Sequence, residues 1–252
     1  MNKLLRLAVF CAAAVLSAAA RPPHVVMLIG EDEYHTWETL PAFADQELRP
    51  RGDRVTVIQQ DKMDKNHFPG LIEALPQADL LVLSVRRRTL PKAELDAVRA
   101  YLEAGHPLVG IRTACHAFAV LPGATLTVPG AAVWPGFDPE VLGGHYTGHS
   151  HLEVPTVVSL APQAADSPIL AGVSAARLVS PGNLYHVAPL EAGTMPLLIG
   201  TIPGEAPQPV AWTHRYGPHG ARIFYTSLGS PEDFKNPDFR RLLANSIAWG
   251  LR

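Results

Sequence analysis

Four short stretches of this chain are apolar almost without interruption, and they constrain its fold more than any other feature. His24–Gly30 reads HVVMLIG, Arg54–Gln59 reads RVTVIQ, residues 79–84 read DLLVLS and residues 107–111 read PLVGI. A strand with one wet face alternates polar and apolar residues, whereas a short continuous apolar run belongs to a strand covered on both faces. Between these runs lie stretches with helical spacing: residues 39–48, a short one near Leu71, and residues 91–104. The last is the clearest, because Leu95, Val98, Tyr101 and Leu102 share one face, Pro91 suits a first turn and Gly105 supplies the stop. Buried strands alternating with helices predict a mainly parallel sheet with right-handed crossovers, the middle layer of an α/β sandwich.

Residues 121–151 abandon this pattern for Pro, Gly, Trp and His. A loop longer than about 12–15 residues in a compact domain is usually functional or disordered, and the aromatic and histidine content here points to function. Strand-like runs return at residues 152–160, 197–202, 209–214 and 222–227. Two of them flank YGPHG at residues 216–220, which predicts a β-hairpin, and Asn236-Pro237 opens a final amphipathic helix through Leu251. Nothing resembling a linker divides residues 21–252, so one domain is expected.

The first twenty residues, MNKLLRLAVFCAAAVLSAAA, have the pattern of a secretory signal peptide: basic Lys3 and Arg6, an apolar run from Leu7, and Ala18-Ala19-Ala20 as the cleavage site. The apolar run is shorter than the ~20 residues a spanning helix needs. The expectation is an exported protein, periplasmic or extracellular, without stable membrane insertion after cleavage. Loss of Lys3 and Arg6 takes 21 basic residues to 19 against 23 acidic ones, a net charge of −4. A mildly acidic chain whose one basic cluster is Arg86-Arg87-Arg88 lacks the footprint that nucleic acid requires. Cys11 leaves with the segment, so Cys115 is the remaining thiol and an intramolecular disulfide is excluded.

In an open parallel sheet, ligands bind where loops leave the carboxyl ends of the strands. The first apolar run is followed there by Glu31, Asp32, Tyr34 and His35, the third by Arg86, Arg87 and Arg88, and the fourth by Arg112, Thr113, Cys115 and His116. Glu31 and Asp32 also suit capping of the next helix, and the arginines a solvated face. His145, Tyr146, His149 and His151 cluster within seven residues, with His186 and His214 as further candidates. Those histidines fit contacts to substrate hydroxyls. They also fit a divalent metal held by His145, His149 and His151, although neither H-E-x-x-H nor C-x-x-C is present. Cys115 beside His116 suggests a nucleophile pair, but neighbours in sequence do not face each other on a helix, and a small buried residue is the simpler reading.

Taken together, LVLSVRRRTLP from Leu81, GHPLVGIRTACHAF ending at Phe118, LGGHYTGH from Leu142 to His149, PVAWT from Pro209 and FYTSLGSPEDFKNPDFRRLL from Phe224 to Leu243 resemble the ThuA-like (trehalose-utilisation) family. The resemblance runs through nearly all of residues 21–252. It implies a fold similar to class I glutamine amidotransferases, a flavodoxin-like three-layer sandwich with a C-terminal hairpin and helix. It also implies a place in carbohydrate catabolism, with 3-keto-glycoside chemistry as the activity. Amidotransferases of this class place a cysteine in G-x-C-x-G at a strand-to-helix elbow and a distant H-P-E. Here the elbow reads Gly110-Ile-Arg-Thr-Ala114, with Arg112 in the nucleophile position, and the distant motif reads Ser230-Pro-Glu232. Nucleophile and base are both replaced, and glutamine hydrolysis is not expected.

Proton abstraction beside a ketone needs a base near neutral pKa and an electrophilic group on the oxygen. Arg112 suits the second role, and Glu31, Asp32, His116 or Glu232 suit the first, with Tyr34, His35, Arg86, Arg87, Thr113, His145, Tyr146, His149 and His186 as substrate contacts. The alternatives are a non-catalytic carbohydrate-binding or accessory protein and a metal-dependent hydrolase built on the histidine loop. A small-molecule carbohydrate is the expected partner and no organic cofactor is called for.

Overall fold

A computed structural model describes residues 21–252 apart from Pro122 and Thr127; the segment expected to be a signal peptide, residues 1–20, lies outside the described residues. The first half alternates as the apolar runs require: β1 (His24–Gly30), α1 (Thr36–Phe43), β2 (Arg54–Gln59), α2 (Leu71–Ala74), β3 (Leu80–Val85), a short β4 (Leu90–Pro91), α3 (Lys92–Glu103) and β5 (Leu108–Ile111). The second half is mostly strand: β6 (Ala131–Ala132), β7 (Gly148–His149), β8 (Thr156–Leu160), β9 (Val179–Ser180), β10 (Tyr185–His186), β11 (Met195–Thr201), β12 (Gln208–Tyr216) and β13 (Ala221–Thr226), then α4 (Pro231–Lys235) and α5 (Pro237–Gly250).

Among the described residues the main sheet has nine strands in the order β2-β1-β3-β5-β13-β12-β11-β8-β9. β1 pairs in parallel with β2 and β3, β3 with β5, and β5 with β13. The pairs from β13 outward through β12, β11, β8 and β9 are antiparallel. The predicted hairpin is therefore part of the main sheet, its second strand lying in parallel beside β5.

The two-sided burial behind the strand prediction is visible residue by residue. Val25, Met27 and Ile29 of β1 join a core with Val82, Ile111, Leu40 and Phe43 of α1, and Leu242 and Leu243 of α5. Val26 and Leu28 join the opposite core with Leu83, Leu71 of α2, and Leu95, Val98 and Leu102 of α3. Each buried aliphatic side chain contributes about 1.5–3 kcal/mol relative to exposure, and the period-two split forces helices onto both faces. The result is a three-layer sandwich.

Several boundaries differ from the sequence reading for identifiable reasons. The first helix begins at Thr36 and contains Pro41, which has no N–H for the Trp37 carbonyl four residues earlier; Gln59 Nε2 donates to that carbonyl at 3.3 Å instead. Beyond Phe43 the helix widens into a π turn, Ala44–Leu48. The strand expected from residue 152 starts at Thr156, just after Pro155. The long loop contains a second π turn, Asp138–Leu142, and contributes one strand to each of two ribbons, β6 pairing with β4 and β7 with β10. Among the described residues no helix is long and apolar enough to cross a membrane.

Candidate functional site

The sheet order reverses between β1 and β3, because β2 lies on one side of β1 and the later strands on the other. The carboxyl ends of β1, β3 and β5 thus border the switch point at which open α/β sheets bind ligands. Backbone strain concentrates at the same edge. Among the described residues the non-glycine residues with positive φ are His35 (53°), Arg87 (50°) and Arg112 (44°), each in a segment that follows one of these strands. An L-residue in this region is held there by its surroundings, and such residues cluster at functional sites.

Arg112 occupies the elbow between β5 and a tight turn, Arg112–His116. Tyr225 of β13 donates its hydroxyl proton to the Arg112 carbonyl at 2.6 Å, and Arg112 Nη1 donates to the Ser227 carbonyl at 2.7 Å. Its guanidinium carbon lies 4.2 Å from the Tyr34 ring centre and 4.7 Å from that of Tyr185. A Cβ on Gly182 would approach Arg112 Nη1 to 2.8 Å, so the glycine is what allows the backbone to lie against the cation. Burial opposes the charge, but Tyr185, Tyr34 and Asp233 outweigh it and hold the guanidinium above its ordinary value. Arg112 is thus a buried cation held by protein groups and does not line the neighbouring cavity, whereas the sequence reading made it the electrophilic group on a substrate oxygen.

The open space lies on the far side of the turn. A cavity of about 400 Å³ is lined by Arg87, Cys115, His116, Trp134, Phe137, Asp138, His145 and Tyr146, among others. Arg87 N donates to the His116 carbonyl at 3.0 Å and Arg88 N to the Ala117 carbonyl at 2.8 Å, fastening the β3 loop to the turn. His116 packs against Tyr146 at 4.9 Å between ring centres. Its burial and the nearby Arg87, Arg86 and Arg112 push its pKa down to about 3, so its imidazole is neutral. Cys115 Sγ lies 3.1 Å from His116 Nδ1, a contact that the helical-spacing argument did not foresee because the turn is tighter than an α-helix. Burial pushes the thiol up to about 12, so it retains its proton. We assign the S–H as donor to Nδ1, which puts the imidazole proton on Nε2.

In the same lining, His145 Nδ1 donates to Asp138 Oδ2 at 2.9 Å, and Tyr146 N donates to the same oxygen at 2.9 Å. This pair is positioned by the second π turn. Trp212 of β12 donates to the Leu142 carbonyl at 2.6 Å, and Gly143 (φ 79°) ends the turn where a Cβ would come within 2.5 Å of Thr194 Oγ1. Burial raises the Asp138 pKa against the pull of the Tyr146 N–H and His145. With Nδ1–H committed to Asp138, His145 Nε2 is left as a proton acceptor.

Of the residues singled out by sequence, the cavity brings together Arg87, His116, His145 and Tyr146, with Arg112 and Tyr34 adjoining through Tyr185. Three acids lie elsewhere. Glu31 is buried and its carboxylate accepts from Glu33 N, Tyr34 N, Thr36 N and Thr36 Oγ1 at 2.6–2.7 Å, so it anchors the loop in front of α1. Asp32 is exposed and bound to Arg88, Lys65 and Gln60. Glu232 is exposed beside Lys235. Arg86 pairs with Glu33 at 2.8 Å, and the buried Thr113 hydroxyl has no partner among the described residues. His35 stacks on Trp37 and lines a separate cavity beside α4.

Among the described residues no three His, Cys, Asp or Glu side chains converge as metal ligands. His149 Nδ1 bonds the Ser150 carbonyl at 2.8 Å, His151 meets His149 edge-on at 5.1 Å between ring centres, and His186 Nε2 bonds Glu205 Oε2 at 2.8 Å. His214 bonds Thr194 Oγ1 at 2.9 Å.

Three residues that matter escaped the sequence reading. Asp138 sits in FDPE, seven residues before the histidine it orients. Tyr185 lies beside the singled-out His186 and stands 4.7 Å from Tyr146 between ring centres. Asp233 follows Glu232 and accepts at one oxygen from Gly229 N, Ser230 N, Ser230 Oγ and Ser180 Oγ at 2.8–2.9 Å. The S-x-x-D spacing of a capping box was its available signal.

A strained elbow at the carboxyl edge of a β2-β1-β3-β5 parallel core, inside a three-layer sandwich, defines a class I glutamine amidotransferase-like α/β protein. Within that class, the model of the ThuA family, described as trehalose utilisation, matches residues 35–250, and the chain belongs to this family. That membership links it to carbohydrate metabolism. A ThuA-like protein from Bacteroides uniformis ATCC 8492 superposes with a TM-score of 0.66 at 18% identity, covering 93% of each chain. Another from Parabacteroides merdae ATCC 43184 gives 0.58 at 14% identity, over 91% of this chain and 90% of that one. A β-galactosidase from Bacillus circulans sp. alkalophilus gives 0.54 at 12% identity, covering 93% of this chain but 32% of the enzyme. At these identities the likeness is one of fold. A search of curated protein sequences finds no match.

Proposed function

We propose that this protein binds a keto-sugar in the cavity beside the elbow and promotes proton transfer next to its carbonyl, as a lyase or isomerase of 3-keto-glycosides. One observation carries the reading: an Asp138–His145 pair and a neutral His116 line the same cavity. His145 Nε2 is the base for the C2 proton, the bond electrons passing into the C2–C3 enolate. Nε2–H of His116 donates to the C3 oxygen as negative charge develops there, and the Arg87 cation adds to the stabilisation. A neutral imidazole suits the electrophilic role because it donates without first delivering a proton. Return of the proton to C2 regenerates substrate or its epimer. Expulsion of the C1 oxygen, protonated by His145, releases the aglycone and leaves a C1–C2 double bond.

Glutaminase chemistry has no support, since Arg112 stands where a nucleophile would and the Cys115 thiol is protonated. The basic, apolar and alanine segments of residues 1–20 support export, so that the sugars met would be environmental or envelope glycosides. Incubation with a 3-keto-glucoside and detection of released aglycone tests the reading. Turnover lost in His145→Gln and in His116→Gln is expected. Wild-type protein that binds the sugar without turnover and without C2 exchange would favour a binding or accessory role.

A further inference from the structure

Charge is matched unevenly around this cavity. Arg86 pairs with Glu33 at 2.8 Å and Arg88 with Asp32 at 2.7 Å. Among the described residues Arg87 and Arg112 have no carboxylate partner within 4.0 Å. Arg87 Nη1 donates to the Val120 carbonyl at 3.1 Å and Arg112 Nη1 to that of Ser227. The acid nearest Arg112 in effect, Asp233, is already bonded to four protein donors. The carboxylate that lines the cavity, Asp138, serves His145 and Tyr146 N. A cation withdrawn from water without an acid partner is costly. Arg112 is such a cation, and the half-buried Arg87 is a second one without an acid partner; both stand on strained left-handed backbone, at φ 50° for Arg87 and 44° for Arg112. The fold spends stability to hold positive charge at this place.

We propose that the cavity is built for an acidic sugar, with the carboxylate of a uronic-acid-type ring held by Arg87 in the field of Arg112. This rests on the carbohydrate reading above and narrows its substrate class. Carboxylate is favoured over phosphate because one guanidinium lines the cavity, and a planar guanidinium matches a carboxylate in bidentate fashion. A dianionic phosphate usually calls on several donors or a helix N-terminus. The cavity volume of about 400 Å³ is within the range for small-molecule sites. An anion there also offsets the part of the His116 depression that Arg87, Arg86 and Arg112 add to burial, so ligand charge and imidazole protonation are coupled.

The test is calorimetric titration of the wild-type protein with methyl β-glucuronide, methyl β-glucoside and glucose 6-phosphate, each at low and high salt. The glucuronide is expected to bind about 10- to 100-fold tighter than the glucoside, the yield of one charge-assisted contact. That advantage should shrink with added salt, disappear in Arg87→Met and partly return in Arg87→Lys. The NMR titration of His116 should move to higher pH with the glucuronide bound and stay in place with the glucoside. Equal affinity for glucuronide and glucoside overturns the acidic-sugar proposal and leaves the carbohydrate reading standing. Tighter binding of the phosphate overturns the choice of carboxylate; binding of none of the three overturns the acidic-sugar proposal, while the keto-sugar reading stands or falls on the 3-keto-glucoside incubation. If Arg87→Met does not fold, the salt dependence and the His116 shift of the wild-type protein decide the matter.

Discussion

Arg112→Ala and Arg112→Gly, compared with each other, isolate the backbone of the elbow. Both variants lose the same guanidinium interactions, the 2.7 Å bond to the Ser227 carbonyl and the stacking on Tyr34 and Tyr185, so these losses cancel in the difference. What remains is φ at 44°. An L-residue in left-handed backbone pays about 1–2 kcal/mol. Glycine pays about 0.4–1 kcal/mol in unfolded-chain entropy instead. The balance favours glycine by about 0.5–1 kcal/mol. A domain of this size shifts by about 2–4 °C per kcal/mol, so Arg112→Gly should melt about 1–4 °C above Arg112→Ala. Thermal unfolding followed by circular dichroism reads the difference. In ordinary strand or helix the order reverses, alanine being the more stable by about 0.5–1 kcal/mol. A higher melting temperature for Arg112→Ala would refute the strained elbow.

Three further outcomes are expected. Cys115, buried with its thiol pushed up to about 12, should resist iodoacetamide in the native protein at neutral pH and react once urea unfolds it; rapid native labelling would contradict its burial. Asp138→Asn should lower turnover of a 3-keto-glucoside by about 10²–10⁴-fold, because His145 loses the acceptor that fixes its tautomer, and steady-state kinetics on a variant of wild-type melting temperature checks this. Asp238, held below the usual carboxylate range by Arg177 while burial opposes, also accepts from Ser174 N at 2.9 Å at the start of α5. A depressed folded pKa contributes stability above the unfolded pKa that is lost as pH falls through the folded one. Asp238→Asn should therefore lower the urea midpoint at about pH 7, with the gap to wild type closing as the pH falls below the ordinary carboxylate range; a gap that widens in acid would reverse the assignment.

The buried strands were legible because Val25 to Ile29 need apolar cover on both faces, a demand carried by the residues themselves. The hairpin was legible because YGPHG interrupts two apolar runs. Its insertion beside β5 was not, since that register depends on contacts such as Tyr225 with Arg112, separated by more than a hundred residues. The site was legible in outline and misleading in detail. Glu31 reads as a reactive acid until four donors are found on its carboxylate. His145 reads as one histidine of a cluster, but its chemistry depends on Asp138, brought alongside by a π turn that the pattern of residues 121–151 conceals. Likewise Ser230-Pro-Glu232 draws attention to Glu232, while the neighbouring Asp233 is buried and organises the segment.

The central claim is that His145, oriented by Asp138, removes a proton beside a sugar carbonyl while His116 supports the oxygen. Proton NMR of a methyl 3-keto-glucoside incubated with the protein in D₂O tests it most directly. The C2 proton should exchange for deuterium with wild type and slow by about 10²–10⁴-fold with His145→Gln. Undiminished exchange with His145→Gln, or none with wild type while the sugar is bound, would contradict the account.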